Sequence, residues 1–498
     1  MNTPTPMMRQ YLDIKNSNKD SILFFRMGDF YEMFFEDAVV ASKILGITLT
    51  SRDKKKDGGI PMCGIPYHAA ASYIPKLLKE GRKVAICEQV EDAKGVKGIV
   101  KREVTRIITP GVPLDEALID AKSNNYLSSV FISNNEKGGG LAFIDVTTGE
   151  FRLTEIEKWD EFLSELNKIE PKEVLLSEAL KDSSVSTNIH DLMPSLSLTY
   201  LDGGLFDSQS AKRYLMEQYE VASLDGFGCS HLNGAVRAAG ALLYYIRETQ
   251  KQRSVHIKPP LSYHNKEFMI LDSNTLQNLE LVRSVKDGAK RGSLLGVIDK
   301  TRTAIGGRKI REALLFPLMD ISKIKKRQDA VEALISENRL REDMQEELKE
   351  FHDLERIIAR LALLRVSPRD LVALKDSLKK VPEIKAILEP FDPVLLREVY
   401  TGLEEMSELV HLIEEVITDD PPMSIKDGGF IRDGYNKDLD ELKDIKKNSR
   451  DWIVGLENRE KKRTGITSLK IRYNKVFGYY IEITKTNLSL VPDNYIRR

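Results

Sequence analysis

Pro259-Pro260 divides the sequence into two hydrophobic patterns, and no other feature restricts the possible folds as much. Before it, short β-prone runs bounded by Gly, Pro, Asn and Asp alternate with amphipathic stretches. After it, apolar residues recur at helical spacing through residue 425 and again from Asp438 to Glu457. One packed layer cannot serve both patterns. A chain of 498 residues, 41% of them hydrophobic, is long enough for three or four domains with separate cores. The expected fold class is multidomain, α/β followed by mainly α, with units at 1–115, 122–250, 262–425 and 426–498.

In the first unit, Phe24 to Met27 and Phe30 to Phe35 are extended runs around a Gly28-Asp29 bend. Alternation then puts Phe30 and Glu32 on one face of the second strand and Tyr31 and Met33 on the other. Turning the Phe30 face into a core would bury an unpaired carboxylate, which is costly, so this face is expected to meet a ligand or water. An exposed ring beside a carboxylate suits the probing of nucleic-acid bases. The ring wedges between base steps, at roughly a few kcal/mol of unstacking and less at a mispaired step. The carboxylate accepts from a base edge and is repelled by the phosphates of undistorted DNA. The alternative is a surface strand with one exposed Phe.

Glu36 to Leu45 carries a helical stripe that ends at Gly46 and is placed behind that strand. Ser51 to Gly59, with Arg52, is a charged Gly-rich loop that either follows phosphates or is solvated. Met62 to His68 passes through Gly64 and Pro66, where the backbone can approach a groove. Between Lys76 and Arg106, nine basic residues, Arg102 among them, outnumber five acids, a bias that fits contacts to a phosphate backbone. Pro110-Gly111-Val112-Pro113 ends the unit, and a polar stretch to Lys122 reads as a linker.

The second unit reads as α/β. Tyr126–Ser133 and Leu141–Val146 form a hairpin, Phe151-Arg152-Leu153 continues it, and Lys172–Leu176 follows a helix at Trp159–Ile169. Asp145 invites a second reading, a metal-dependent nuclease. Such a site needs several convergent carboxylates, and the sequence does not assemble them. Val221 to Thr249 is strongly helix-forming and is expected to link this unit to the next. Beyond it, Phe268–Leu271 reads as a strand. Asp272, Ser293, Asp320 and Ser367-Pro368 mark helix starts, Gly306-Gly307 a close approach, and Leu340–Leu364 one long helix.

In the last unit, Leu442, Ile445 and Trp452 lie near coiled-coil spacing, which suits an arm packed on a partner helix. Lys461 to Lys475 then holds six cations and no acid, and strand pattern replaces helix through Ile483. Lys462, Lys470, Arg472 and Lys475 are candidate phosphate contacts.

The string GDFYEMFFEDA resembles the mismatch-reading motif of the MutS family, the DNA mismatch-repair recognition proteins, whose functional pair is Phe-x-Glu. Phe30 and Glu32 match that pair. TPMMRQYLDIK, GIPYHAA, VAICEQVEDAKGVKGIVKREVTRIITPG, NLELVRS, TAIGGRKIREALLFPL and IRDGYNKDLDEL extend the resemblance over nearly the whole chain. It implies a mixed α/β mismatch-recognition domain, a ribonuclease-H-like connector without catalytic role, a helical core and lever domain, and the start of a clamp with helical arms and a β tip. Phe30 would meet the mispaired base and Glu32 its edge. The segment with Met62, Gly64 and His68 would lie near DNA and the clamp cations on the backbone; Met27, Arg52 and Arg102 are further candidate DNA contacts. A relative that binds branched DNA is the other reading within the family, and the Phe30–Glu32 pair argues against it.

The resemblance also implies a C-terminal ATPase using ATP and Mg²⁺, a homodimer and a MutL-type partner. No GxxxxGK[ST] phosphate loop occurs in the sequence, so the chain reads as an N-terminal fragment with no cofactor or metal of its own. Net charge of −1 neither indicates nor excludes DNA. Three scattered cysteines, Cys63, Cys87 and Cys229, fit a reducing compartment, and the absence of a leader pattern or long apolar run points to the cytoplasm.

Overall fold

The runs on either side of Gly28-Asp29 form an antiparallel hairpin, β1 (Ser21–Met27) and β2 (Phe30–Phe34), with Met27 opposite Phe30. Gly28 turns the corner at φ +57°, in the left-handed region that costs glycine least. This is a computed structural model, which describes residues 5–52, 59–91, 98–113, 119–133, 138–251, 255–264, 267–474, 478–492 and 494–496, without the side chains of 52, 447 and 449–451. The hairpin lies inside a six-stranded sheet of order β3-β4-β2-β1-β5-β6. Its other strands are β3 (Thr50–Arg52), β4 (Ile60–Pro66), β5 (Lys83–Gln89) and β6 (Arg102–Ile108), and β1–β5 is the parallel pair. Helix α1 (Pro6–Asn16) covers one face, with the Tyr11 ring 5.4 Å from Phe25 and 5.0 Å from Phe34. Helices α2 (Phe35–Leu45) and α3 (Ala70–Lys79) cover the other, burying Ala38, Ala41, Ile74 and Leu77 with Tyr31, Met33, Cys63 and Ile65.

A second six-stranded sheet has the order β11-β10-β7-β8-β9-β12. The meander β7 (Tyr126–Ile132), β8 (Gly139–Asp145) and β9 (Glu150–Ile156) is extended in parallel by β10 (Glu173–Ser177), β11 (Ser197–Leu201) and β12 (Leu261–Ser262). Helices α4 (Trp159–Ile169) and α5 (Ser184–Leu192) pack on one side, α6 (Ser208–Tyr219) and α7 (Asn233–Gln250) on the other. The helix expected from Val221 starts at Asn233, because a 3₁₀ turn at Asp225–Phe227 and left-handed Gly228 (φ +65°) precede it. Nor is α7 a link. Ala235, Ala238, Ala239 and Leu242 are buried in the sheet's core, and the helix comes so close that a Cβ on Gly140 would lie 1.9 Å from the Gly234 carbonyl carbon.

Short helices follow: α8 (Ser273–Asn278), α9 (Leu294–Ile298), α10 (Ala304–Leu315), α11 (Ile321–Ser336), α12 (Asn338–Lys349), α13 (Leu354–Ala362), α14 (Pro368–Lys379), α15 (Val381–Leu388) and α16 (Val394–Gly402). Asp272, Ser293 and Asp320 cap them through their side chains, and Ser367 with Asp370 forms a capping box. Two expectations fail. Phe268 makes a single bridge to Leu318 rather than starting a strand. The long helix at Leu340–Leu364 breaks before Leu354, where Asp353 caps α13 and accepts two 2.7 Å hydrogen bonds from buried Arg308.

The stretch read as a linker is anchored at both ends. The Gly111 N–H donates to Glu173 (3.1 Å), and Lys122 Nζ reaches Asp299 (3.2 Å) and Thr301 Oγ1 (2.9 Å), its stem lying where Gly307 has no Cβ. Residues 114–118 between them lie outside the described residues. No described helix is long and apolar enough to cross a membrane.

All of this belongs to one compact unit, Met1–Ser407; Glu408–Arg498 forms another. The second unit contains α17 (Ser407–Val416), the 28-residue α18 (Lys437–Thr464) between caps Asn436 and Gly465, and the hairpin β13 (Lys470–Asn474) and β14 (Gly478–Glu482). Helix α18 outruns the expected Asp438–Glu457, and Leu442, Ile445 and Trp452 on it are exposed, with no helix against them among the described residues of that unit. Lys485–Leu490 is a 3₁₀ segment; Arg497 and Arg498 lie outside the described residues.

Candidate nucleic-acid interface

Strand β2 presents its first residue to solvent and buries the rest of its apolar side chains. Phe30 is 48% exposed, whereas Tyr31, Met33 and Phe34 are buried and Glu32 is half-buried. The β2–β4 register sets Pro66 opposite Phe30, Gly64 opposite Glu32 and Met62 opposite Phe34. Position 64 has little room for a side chain. A Cβ there would stand 3.3 Å from the Tyr31 carbonyl and 3.6 Å from Glu32 Cγ, so glycine leaves the flank of the Glu32 side chain open. Met27 ends β1 half-buried, and His68 is exposed, edge-on to Tyr67 at 5.7 Å.

Contacts distant in sequence hold this corner. The Tyr67 N–H donates to the Asp29 carbonyl (2.9 Å), and the Arg26 guanidinium lies 3.5 Å from the Tyr67 ring centre. Arg26 also donates to the Gly28 carbonyl (2.5 Å) and pairs with Glu88 at 3.6 Å. Glu88 accepts from the Tyr31 hydroxyl, and burial together with that acid holds the phenol well above its usual range. Sequence reading missed Arg26, Tyr67 and Glu88. Arg26 next to the bend was the one local signal, since Glu88 lies 57 residues from Tyr31.

The basic stretch Lys76–Arg106 is divided by the fold. Lys76, Lys79, Arg82 and Lys101 are exposed, while Lys83, Arg102 and Arg106 turn inward. Arg102 donates to the Arg26 carbonyl (2.7 Å), Gln10 Oε1 (3.1 Å) and the Val100 carbonyl (3.0 Å), and lies over the Phe25 ring, so its donors are committed to the protein. Lys83 approaches buried Glu173 at 3.7 Å, which also accepts from Tyr245 (2.7 Å) and Thr199 (2.6 Å). Arg52 pairs with Ile60 through its backbone; residues 53–58, 92–97 and Lys475 lie outside the described residues.

In the second unit, the cationic run lacks acids in sequence but meets them in space. Lys461 pairs with Glu457, Arg463 with Glu460 and Arg472 with Glu482, each at 2.6 Å. Lys462 and Lys470 are exposed, as are Tyr473 and Tyr479, whose rings meet edge-on at 5.1 Å.

Asp145 is no metal ligand in waiting. It is fully buried and accepts from Asn124 Nδ2 and the Asn125 N–H (both 3.1 Å), the Thr147 N–H (2.9 Å) and Thr147 Oγ1 (2.7 Å). No group of three or more acidic, His or Cys side chains with metal-holding geometry occurs among the described residues. The nuclease reading therefore loses its site.

Three family models match in series: MutS domain I over residues 5–117, MutS domain II over 125–258 and MutS domain III over 274–484. A DNA mismatch repair protein MutS of Thermodesulfovibrio yellowstonii is 46% identical over 494 residues, which is 99% of this chain and 56% of that protein. Its counterpart in Alkaliphilus oremlandii is 44% identical over 499 residues (99% and 56%), and that of Halothermothrix orenii 43% over 500 (100% and 55%). The chain thus spans little more than half the length of these relatives.

Proposed function

The chain belongs to the MutS family, and from that premise we propose that it binds duplex DNA and reads mispaired or unpaired bases with Phe30 as wedge and Glu32 as base-edge acceptor, the recognition step of mismatch repair. The observation that carries this reading is a single exposed ring at the corner of a strand that is otherwise buried. A ring on so rigid a support enters a base stack without itself reorganising. The unstacking, roughly a few kcal/mol, is least where pairing is already lost. Glu32 supplies an acceptor whose charge disfavours intact duplex, so the pair discriminates while Lys462, Lys470 and the other exposed cations supply affinity without sequence information.

In this reading the first sheet is the mismatch-recognition domain, the second a ribonuclease-H-like connector, the helices from Ser273 a core and lever, and the second unit the start of a clamp. ATP and Mg²⁺, a homodimer and a MutL-type partner belong to the same proposal for the protein of which these residues are part. The residues present do not fit a nucleotide through a phosphate loop, since GxxxxGK[ST] is missing from the sequence, and no step here runs through ATP.

The test is binding of the chain to two duplexes identical except for one G·T pair or one unpaired T, with wild type and Phe30→Ala. A preference for the altered duplex that disappears in Phe30→Ala upholds the wedge. Equal binding to both duplexes by both proteins, with preference for a four-way junction, would favour the branched-DNA reading instead.

A further inference from the structure

On the side of the first sheet opposite Phe30, where Tyr31 points, lies a cavity of about 420 Å³, within the range of roughly 300–1,000 Å³ typical of small-molecule sites. The first sheet contributes Tyr31 and Arg106, the turn after β4 contributes Tyr67 and His68, and the end of α7 contributes Gln250. Arg360 at the end of α13 and Arg365 just beyond it close the far wall. Three guanidinium groups therefore line one cavity, and no aspartate or glutamate is among its described lining residues.

The arginines are not equivalent. Arg360 donates to Asp370 (2.7 Å) and Arg365 to the neutral Gln250 Oε1 (2.7 Å), contacts that set their positions. The half-buried side chain of Arg106 makes no hydrogen bond or ion pair with any described residue. Glu88, the acid that acts on Arg106, already pairs with Arg26 and accepts from Tyr31. Burial accordingly pulls the Arg106 guanidinium below its usual range, as expected of a charge left incompletely compensated. A planar donor fork facing a cavity with no acid in its described lining matches the oxygens of a phosphate group better than it matches water, because the anion supplies both the missing charge and paired acceptors.

We infer that this cavity binds a small phosphate-bearing anion, held between Arg106 of the first sheet and Arg365 of the helical segment. The inference is independent of mismatch reading. Its occupant joins two segments far apart in sequence, so binding stabilises the folded unit by mass action.

The probe is sodium pyrophosphate, titrated calorimetrically into the chain at constant ionic strength with sodium chloride as control; adenosine monophosphate is the second arm. Saturable pyrophosphate binding that weakens about tenfold or more in Arg106→Gln, and is abolished by Ala71→Glu in the cavity wall, upholds the site. Tighter binding of the nucleotide than of pyrophosphate assigns the natural ligand to nucleotides, and the reverse order to inorganic anions. Arg106→Gln removes no hydrogen bond to a described residue and should melt as wild type does without anion. If it fails to fold, Ala71→Glu decides alone. Absence of saturable binding, or binding unchanged in every variant that folds, overturns the inference.

Discussion

The two β-hairpins that carry exposed aromatic rings are built on opposite plans. The first, β1–β2, lies inside a six-stranded sheet with helices on both faces, and it exposes one aromatic ring at its corner. The second, β13–β14, is a whole sheet by itself, and Tyr473 and Tyr479 on it are 61% and 62% exposed. Under the proposed function, a ring that must find one weakened base step among many would need a fixed position, which burial of the rest of the strand supplies. A grip that acts through charge, the role proposed for the second hairpin, would need reach and would tolerate a bare ribbon. The comparison also sorts the cations: Arg26 on the first hairpin and Arg102 beside it are locked onto protein acceptors, whereas Lys470 on the second stands in solvent.

The largest effect that could break this contrast is on stability. Met33→Ala should cost about 2–5 kcal/mol in urea denaturation, the range for emptying a sealed core site, whereas Tyr479→Ala should cost about 1 kcal/mol or less. Equal losses would mean that the second hairpin is also core-supported.

Next in size is discrimination. Phe30→Ala should lower the ratio of mismatched to paired affinity by about tenfold or more, a loss of one base-step contact, while leaving paired binding nearly unchanged. Tyr473→Ala should lower both affinities together.

Alkali separates the hairpins in a third way. Burial raises the Cys63 thiol to about 11 and Cys87 to about 12, and the second unit contains no cysteine. Raised folded pKa values mean that the unfolded chain loses its thiol protons first. Their contribution to stability is therefore intact below the ordinary thiol value of 9.0 and is lost as pH climbs toward about 11. The first sheet should melt before the second unit over that interval, as followed by hydrogen exchange. Simultaneous melting would contradict it.

Gly64→Ala should be smaller. Its methyl group meets the Tyr31 carbonyl at 3.3 Å and Glu32 Cγ at 3.6 Å, so about 1 kcal/mol of mismatch preference should go, with the fold retained. The smallest change is Lys470→Ala, which should reduce the slope of log K against log salt by about 0.9 and affect all duplexes alike.

How much of this was legible depended on distance along the chain. The Gly28-Asp29 turn, the alternation of Phe30 and Tyr31 between faces, the stop at Gly46 and the caps at Asp272, Ser293, Asp320 and Ser367 are decided by neighbours a few residues away, and they stand as read. The reading failed where a distant partner intervened. Helix α7 looked like a connection because its alanines suit any helix, but Gly140 lets it sink onto β8. The helix over Leu340–Leu364 was cut because Asp353 serves Arg308. Arg102, Arg106 and Lys83 looked like surface charge and turn inward, since a side chain's direction follows from strand pairing and not from its own polarity.

By itself the sequence determined the local alphabet of this protein: which segments extend, which coil, where they stop, and that Phe30 and Glu32 share one face. Tertiary structure alone decided the Arg26–Glu88–Tyr31 brace, the commitment of Arg102, the saturation of Asp145 and the convergence of Arg106 with Arg360 and Arg365. The physical reason is that periodicity and capping arise from backbone geometry within a turn or two. The charges of that brace find their partners only when strands far apart in sequence come into register.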